Sequence, residues 1–292
     1  MSHAWFHSLL CCPQCGGDLI IDAVISCNAC DFHDKSGRDL RPQRPRLIQL
    51  ALSNMLGTQP VVALHQLDTT YPVVTYSGPS AIRDSRQLMS EVNARLPQGG
   101  AALDLGCGPR DQFAPLSYLG FDYVGVDFDS PAADLLADAH SIPFVDESFD
   151  CVFSYAVLEY LHNPFIAIDE ISRVLKPGGW FIGTVSQGEP FHSSYFHHTP
   201  WGLLSLIGSA PDLKISRMWE SSDTLQSLAS MGRYSRVLKA ALAVLDTVNT
   251  WLPWLTPRKM MWSKKEKQLD RLYRAGSICF SIEKRASGAE NN

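Results

Sequence analysis

Four cysteines near the start of the chain have the spacing of a metal site. They form two Cys-x2-Cys pairs, Cys12 with Cys15 and Cys27 with Cys30, and eleven residues separate the pairs. Each pair can present two thiolates from a tight turn, and two pairs complete the tetrahedral sulfur shell that zinc prefers. The spacing therefore predicts a structural zinc site, with Cys11 as an unligated neighbour. Disulfides or free thiols are the alternatives, although the first residues lack a signal-peptide pattern, which argues against disulfides.

A second group of chemistry-bearing residues consists of a glycine turn and two acids. The sequence Leu103-Asp-Leu-Gly-Cys-Gly-Pro109 puts Asp104 at the end of an apolar strand and two glycines in the following turn. Glycines allow a ligand to approach the backbone more closely than a Cβ would permit. Asp127 ends the next apolar strand, 23 residues after Asp104, where an acid can accept hydrogen bonds from ribose hydroxyls. The pattern predicts a nucleotide-type site.

Three further motifs follow the glycine turn in order. They are Ala137-Asp-Ala-His-Ser-Ile-Pro-Phe-Val-Asp-Glu-Ser-Phe-Asp150, Val157-Leu-Glu-Tyr-Leu-His-Asn-Pro164 and Arg173-Val-Leu-Lys-Pro-Gly-Gly179. The ordered set resembles the class I S-adenosylmethionine-dependent methyltransferases, in the branch whose motifs read DAxxLPFxDxSFD, VLEHxxDP and RVLKPGG. A nicotinamide dehydrogenase would need a third glycine where Asp111 stands. Asp146 and Asp150 are expected to shape the turn before a strand.

The resemblance implies that the cofactor is S-adenosyl-L-methionine and assigns residues to it. The assigned residues are Asp104, Gly106, Cys107, Gly108, Asp127, Phe128, Asp138 and Ala139. By this assignment the backbone of the glycine turn holds the methionine part, Asp127 holds the ribose and Phe128 flanks the adenine. Asp138 and the Ala139 amide read the adenine edge. Only ten residues separate Asp127 from Asp138, too few for the family's usual helix and strand, so the wall of the adenine pocket departs from the family.

The cysteine segment also resembles a known module. Residues 9–32 are similar to the zinc ribbon fused to, or partnered with, many methyltransferases, in which LLxCPxCxGxL leads to a second cysteine pair. The apolar tail of that module is replaced here by Phe32-His-Asp-Lys-Ser-Gly-Arg-Asp-Leu40. Two prolines among four arginines in residues 38–46 predict a linker. We expect the ribbon to fold around its zinc largely independently of the cofactor site.

Composition and periodicity describe the elements that must position these residues. The chain has 292 residues, of which 45% are hydrophobic and 19% charged, and a formal net charge of −5. This favours a soluble, cytoplasmic protein and gives no general attraction to nucleic acid. Strands alternating with helices predict an α/β fold: a Rossmann-like, doubly wound methyltransferase sheet with a small N-terminal zinc ribbon and a helical cap insertion. The expected divisions are the ribbon at 1–48, a linker and N-terminal helix at 49–98, the cofactor-binding core at 99–190, and a substrate cap with the final strand at 191–292.

The acceptor is expected to bind beyond the strand Trp180–Val185. Histidines and aromatic residues follow it in residues 191–201, at the sheet edge where open α/β sheets bind ligands. No catalytic residue is assigned; the candidates are His197, His162 and Tyr195, with His192, His198 and Glu159 as further possibilities. A packed aromatic loop is the alternative for this segment. Methyl transfer from a sulfonium often needs only positioning, so the reaction does not require a base.

Two interpretations fit the C-terminal third of the chain. Apolar residues from Tyr234 to Leu252 keep helical spacing, and residues 258–274 hold seven Lys/Arg against two acids. We favour an amphipathic helix packed as a lid on the domain, followed by a solvated basic face. The alternative is a membrane-surface helix with a basic flank, which would give peripheral membrane contact.

The leading functional hypothesis is an S-adenosylmethionine-dependent methyltransferase with a structural zinc ion and a small-molecule, sugar or lipid-linked acceptor. One alternative is an RNA methyltransferase resembling the zinc-containing ribosomal guanine-N1 enzymes. Residues 1–50 argue against it, because they hold five Lys/Arg and five Asp/Glu and so have no net positive charge. A non-catalytic, cofactor-binding partner subunit is the other alternative. The sequence does not identify the acceptor atom or the oligomeric state.

Overall fold

The structure is a computed structural model that describes most of the chain. The described residues are 4–43, 66–70, 80–188, 194–223, 237, 238, 240, 241, 244, 245, 248 and 263–286. Phe191 and His192, at the start of the expected acceptor loop, lie outside the described residues, as does most of 234–252.

The N-terminal segment forms a small three-stranded antiparallel sheet. Its strands are β1 (Leu19–Ile21), β2 (Ile25–Cys27) and β3 (His33–Asp34), in the order β1-β2-β3. The pairing of Leu19 with Cys27 brings the first cysteine pair, just before β1, close to the second pair at the end of β2. A hairpin thus lies between the two pairs and brings the four cysteines together.

A seven-stranded sheet forms the centre of the molecule. Its strands are β4 (Gly100–Leu105), β5 (Phe121–Asp127), β6 (Leu135–Leu136), β7 (Phe149–Tyr155), β8 (Leu175–Ser186), β9 (Leu213–Asp223) and β10 (Ala275–Lys284). The order is β6-β5-β4-β7-β8-β10-β9. The first five strands are parallel, and β10 runs antiparallel to both β8 and β9. Because the chain moves outward in both directions from β4 and β7, the boundary between these strands is the switch point where such sheets bind ligands.

Helices cover both faces of this sheet. They are α1 (Ser80–Arg95), α2 (Phe113–Tyr118), α3 (Pro164–Val174), α4 (Pro200–Ile207) and α5 (Lys264–Tyr273). Alternate strand residues face opposite sides: Val152 packs in the core under α3 and α4, whereas Cys151 and Phe153 pack in the core under α1 and α2. The predicted doubly wound α/β fold is confirmed.

Part of the segment expected to form a cap belongs to the core instead. Leu203 and Leu206 of α4 are buried in the main core, and β9 forms an edge of the sheet through its pairing with β10. The buried apolar side chains of α4 and the backbone hydrogen bonds between β9 and β10 make this stretch part of the domain.

The residues expected to form a packed lid helix are exposed where the structure describes them. Residues 237, 238, 240, 241, 244, 245 and 248 are helical. The side chains of Val237, Val244 and Leu245 are 80%, 60% and 57% exposed. At these positions the predicted packing against the domain is wrong. None of the helices in the described part of the chain has the length and hydropathy that a membrane crossing requires.

The segment after the ribbon also differs from the prediction of a linker. The Leu136 N–H donates to the Arg38 carbonyl at 2.8 Å, and the Leu40 N–H donates to the Leu136 carbonyl at the same distance. Residues 38–40 thus lie beside β6 as a short parallel extension of the sheet. Phe32 and Leu40 belong to the same buried core as the sheet, so the ribbon is attached to the domain rather than independent of it.

Candidate functional site

The glycine turn after β4 has the backbone geometry that the sequence predicts. Gly106 has a φ of +73°, and a Cβ there would lie 2.3 Å from a methyl of Val157. Gly108 has a φ of +50°, and a Cβ added there would project into open space. Positive φ and open space above Gly108 provide a cradle for a ligand close to the backbone.

The Asp104 carboxylate lies beneath this turn and does not face solvent. It is 1% exposed and accepts a hydrogen bond from the Tyr123 hydroxyl at 2.7 Å. Burial raises the pKa of Asp104 to about 7. Burial and the negative charge of Asp104 raise the pKa of the Cys107 thiol to about 12, so this cysteine remains a neutral thiol. Because both side chains are buried, backbone groups form the accessible surface at these two positions of the turn.

Asp127 ends β5 beside the glycine turn. Its Oδ2 accepts from the Gly108 N–H at 2.9 Å, and its Oδ1 accepts from the Asp129 and Ser130 N–H groups at 3.1 Å each. An ionised carboxylate offers about four lone-pair sites. Three are occupied by backbone N–H groups, so one lone-pair site remains free, on Oδ2.

Asp138 and Ala139 follow β6 at the same edge of the sheet. The Asp138 Oδ1 accepts from the His140 N–H at 2.9 Å and is 2.6 Å from His140 Nδ1. His140 Nε2 accepts from the Asn163 N–H at 3.1 Å, which makes Nδ1 the donor to Asp138. Burial opposes ionisation of Asp138, yet the hydrogen bonds from His140 lower its pKa below the usual range. His140 was not among the predicted site residues, although its position two residues after Asp138 was an available signal.

The four ribbon cysteines form a cluster that fits a metal ion. Their Sγ atoms lie within 4.8 Å of one another, with 3.6 Å between Cys12 and Cys30 and 3.5 Å between Cys15 and Cys27. A Zn–S bond of about 2.3 Å places tetrahedral ligands about 3.8 Å apart. Although burial opposes it, the hydrogen bond from the Ala29 N–H lowers the pKa of Cys27 to about 7. The donor set and its spacing fit zinc, and the separations are too long for disulfides.

The acceptor-side candidates are brought together only in part. The rings of His162 and Tyr195 lie 4.0 Å apart between centroids. The Tyr195 N–H donates to the Glu159 carbonyl at 2.8 Å, which fixes the loop on the segment after β7. Glu159 is buried and accepts from the Ser186 N–H at 3.1 Å. His197 is exposed and is not part of the stack formed by His162 and Tyr195.

His198 is the buried histidine of this region. Its N–H donates to the Ser186 carbonyl at 2.8 Å, and its ring bonds to the Leu158 backbone. Among the described residues, Nε2 has no hydrogen-bond partner. Burial lowers the pKa of His198, so at neutral pH the ring is uncharged with Nε2 available as an acceptor.

A cavity of about 360 Å³ lies beyond the end of β8. It is lined by Gln187, Gly188, Thr199, Pro200, Trp201, Tyr273 and Ala275. Thr199 caps α4 by accepting from the Gly202 N–H, so the wall on that side belongs to a fixed element.

The two remaining acids of the motif region have structural contacts, as expected. Asp146 pairs with Arg173 at 2.9 Å. Asp150 pairs with Lys176 at 2.7 Å and accepts from the Ala101 N–H at 2.8 Å. Both lie at the edge of the sheet opposite the glycine turn.

Residues 103–183 match the family model described as a methyltransferase domain. This stretch runs from β4 into β8 and contains the glycine turn, Asp127 and Asp138. The protein carries a methyltransferase domain. The resemblance to class I S-adenosylmethionine-dependent methyltransferases is thereby confirmed for this domain.

Individual relatives match only part of the chain. An uncharacterized 37.1 kDa protein of a Streptomyces fradiae transposon is 30% identical over 156 residues, which is 48% of this chain and 41% of that protein. The tRNA (carboxymethyluridine(34)-5-O)-methyltransferase of Arabidopsis thaliana is 34% identical over 126 residues, 38% of this chain and 29% of that enzyme. The structure of Haemonchus contortus phosphoethanolamine N-methyltransferase 2 with S-adenosyl-L-methionine is 15% identical, with a TM-score of 0.41, covering 69% of this chain and 53% of that one. The chain thus spans less than half the length of these two curated relatives.

Proposed function

We propose that this protein transfers the methyl group of S-adenosyl-L-methionine to a small-molecule, sugar or lipid-linked acceptor. The observation that carries the proposal is the free acceptor capacity at one edge of the methyltransferase domain. Asp127 and Asp138 lie at the ends of neighbouring strands. Oδ2 of Asp127 accepts only one hydrogen bond, and the hydrogen bonds to Asp138 are on Oδ1, so each carboxylate can accept at least one more. The backbone at Gly108, close to the switch point, faces open space. A nucleoside with its ribose on Asp127 and its adenine edge on Asp138 satisfies both.

The chain's own residues then define the two ends of the ligand. Asp127 would bind a ribose hydroxyl, Asp138 Oδ2 would accept from the adenine amine, and the turn at Gly106 and Gly108 would hold the methionine part. When bound, S-adenosyl-L-methionine supplies an electrophilic methyl group on a sulfonium, open to in-line attack. Orienting the acceptor for that attack is the main task left to the protein.

His198 is the residue best suited to take a proton from the acceptor. It is held by two hydrogen bonds and is neutral at pH 7, while Nε2 keeps its lone pair. A buried base that binds the proton of an acceptor hydroxyl or amine favours the nucleophile that attacks the methyl group. The exposed His197 and the stacked pair His162 and Tyr195 suit acceptor contacts better than proton transfer.

The surroundings of this loop support a small or sugar-like acceptor. The rings of Tyr195, Phe196 and Trp201 are exposed at the strand end, and such rings pack on the apolar faces of sugars and other small ligands. The nearby cavity of about 360 Å³ lies within the size range of small-ligand sites. The exposed apolar side chains of Val237 and Val244 favour a lipid-linked acceptor within this range of acceptors.

A tRNA acceptor is the second candidate, because the Arabidopsis relative is a tRNA methyltransferase. The balanced charge of residues 1–50 argues against it. The test is to incubate the protein with S-adenosyl-L-methionine labelled in its methyl group and three acceptor pools: polar metabolites with sugars, a lipid extract, and bulk tRNA. We expect label in the first or second pool, and about ten- to a hundredfold less with the Asp127→Ala variant at the same subsaturating cofactor concentration. Label only in tRNA supports the second candidate, and cofactor binding without transfer to any pool supports a non-catalytic subunit.

A further inference from the structure

We propose that the zinc ribbon builds part of the cofactor site, with Arg41 in its tail forming the outer wall of the adenine end against Phe128. The ribbon tail is defined here as residues 38–41. The inference rests on the proposed function, because it takes an adenosyl cofactor as the ligand. It gives the ribbon a role at the cofactor site that the sequence did not predict.

The backbone of the ribbon tail fixes its place beside the site. Its pairing with Leu136 extends the sheet beyond β6, and the fully buried Leu40 anchors it in the core. Arg38 donates from Nη1 to the Pro131 carbonyl at 3.2 Å and from Nη2 to the Ser130 carbonyl at 3.1 Å. The tail therefore lies along the shortened segment between Asp127 and Asp138, where the family resemblance implies a helix.

Arg41 reaches from this tail to the residue expected to flank the adenine. Its Nη1 donates to the Phe128 carbonyl at 3.1 Å, and its Cζ lies 5.3 Å from the centre of the Phe128 ring. Asp39 holds the same guanidinium through contacts of 2.8 Å to Nε and 2.6 Å to Nη2. Three fixed contacts orient the plane of the guanidinium, which lowers the entropy cost of stacking it on a ligand.

The two groups leave surface for a base. The Phe128 ring is 58% exposed and the Arg41 side chain is one-third exposed. A guanidinium and an aromatic ring that face solvent together form a surface on which a purine can stack. With Asp138 at the edge of the base, Arg41 and Phe128 supply the wall that the missing helix would otherwise provide.

The ribbon also contacts the segment that follows Asp138. The Cys11 N–H donates to the Pro143 carbonyl at 3.1 Å, and the Val145 N–H donates to the Leu9 carbonyl at 2.8 Å. The Ser141 hydroxyl donates to the carbonyl of Pro13, which lies between the two cysteines of the first pair. The stretch from Phe128 to Val145, which contains Asp138, therefore contacts the ribbon near both of its ends.

A continuous set of contacts joins the metal cluster to Arg41. The Cys27 N–H donates to the Phe32 carbonyl at 3.0 Å, and the Asp34 carboxylate accepts from the Arg38 and Asp39 N–H groups at 2.9 and 3.1 Å. Because a ribbon of this size depends on its metal for folding, metal binding orders the tail and so favours cofactor binding. By linkage, the cofactor in turn favours metal binding.

The test measures binding of S-adenosylhomocysteine, which needs no turnover, by calorimetry on the zinc-loaded full chain. We expect Arg41→Ala to weaken binding about three- to tenfold. Lys35→Ala removes an exposed cation from the bend between β3 and the ribbon tail and should leave affinity unchanged. Asp39→Asn, which frees the Arg41 guanidinium without removing it, should weaken binding less than Arg41→Ala. Chelation of the zinc should weaken binding at least as much as Arg41→Ala.

The zinc content and melting temperature of each variant show whether Arg41 forms a wall of the cofactor site or only stabilises the fold. Arg41→Ala should keep its zinc and its melting temperature while losing affinity. Unchanged affinity in that variant overturns the wall, and unchanged affinity after chelation overturns the coupling. Loss of zinc or of folding together with affinity in both Arg41→Ala and Asp39→Asn also overturns the wall. A zinc-loaded wild-type chain that binds no S-adenosylhomocysteine overturns the proposed function itself.

Discussion

Replacing Asp127 by alanine tests how the nucleoside end of the cofactor is held. The carboxylate already accepts hydrogen bonds from three backbone N–H groups, those of Gly108, Asp129 and Ser130, and keeps one free lone-pair site, which we propose binds a ribose hydroxyl. A hydrogen bond to a charged group contributes about 1.5–3 kcal/mol. Asp127→Ala should therefore weaken cofactor binding by about ten- to a hundredfold, since about 1.4 kcal/mol corresponds to a factor of ten.

The assay is calorimetric titration with S-adenosyl-L-methionine, with circular dichroism to show that the variant folds. Asp122→Ala is the matched control, because Asp122 is exposed near the other end of the same strand, β5. It should bind the cofactor as the wild type does. Wild-type affinity in a folded Asp127→Ala protein would refute the reasoning, because the ribose would then be held elsewhere.

Three further predictions follow from the site. Elemental analysis should find one zinc ion per chain, lost in Cys15→Ser; less than about half an equivalent, with Cys12 or Cys27 oxidised, would contradict the zinc site. His198→Gln should reduce turnover far more than cofactor affinity, whereas His197→Gln should change turnover less; equal losses of turnover and affinity in His198→Gln would move that residue into the cofactor site. Because burial raises the pKa of Asp104 to about 7, the folded state binds a proton that the unfolded state releases near pH 4. The stability contributed by this group is thus present below about pH 4 and is lost as pH rises through about 7. In denaturant unfolding from pH 5 to 8, the free energy of unfolding should therefore decline less steeply in Asp104→Asn than in the wild type.

The parts of the site that the sequence predicts are those encoded by short, regular spacing. Asp104 and Asp127 end apolar strands, and parallel strands bring such ends to one edge of the sheet, so their proximity follows from the pattern. The cysteine cluster also depends only on local sequence, because a hairpin of two three-residue strands between the pairs is enough to bring the four sulfurs together.

The parts that the sequence does not predict depend on contacts between distant segments. Arg38 and Leu40 pair with Leu136, yet the proline-rich composition around them is typical of a linker. Nothing in the local pattern of Val237 or Val244 distinguishes an apolar helix face that packs from one that stays exposed. His198 was indistinguishable from His197 in the sequence because only the packed loop determines which of the two rings is buried.

Equilibrium binding of S-adenosyl-L-methionine to the zinc-loaded chain tests the central claim most directly. We expect one bound equivalent per chain, displaced competitively by S-adenosylhomocysteine, with an affinity that Asp127→Ala lowers and Asp122→Ala leaves unchanged. A folded, zinc-loaded protein that binds neither ligand would contradict it.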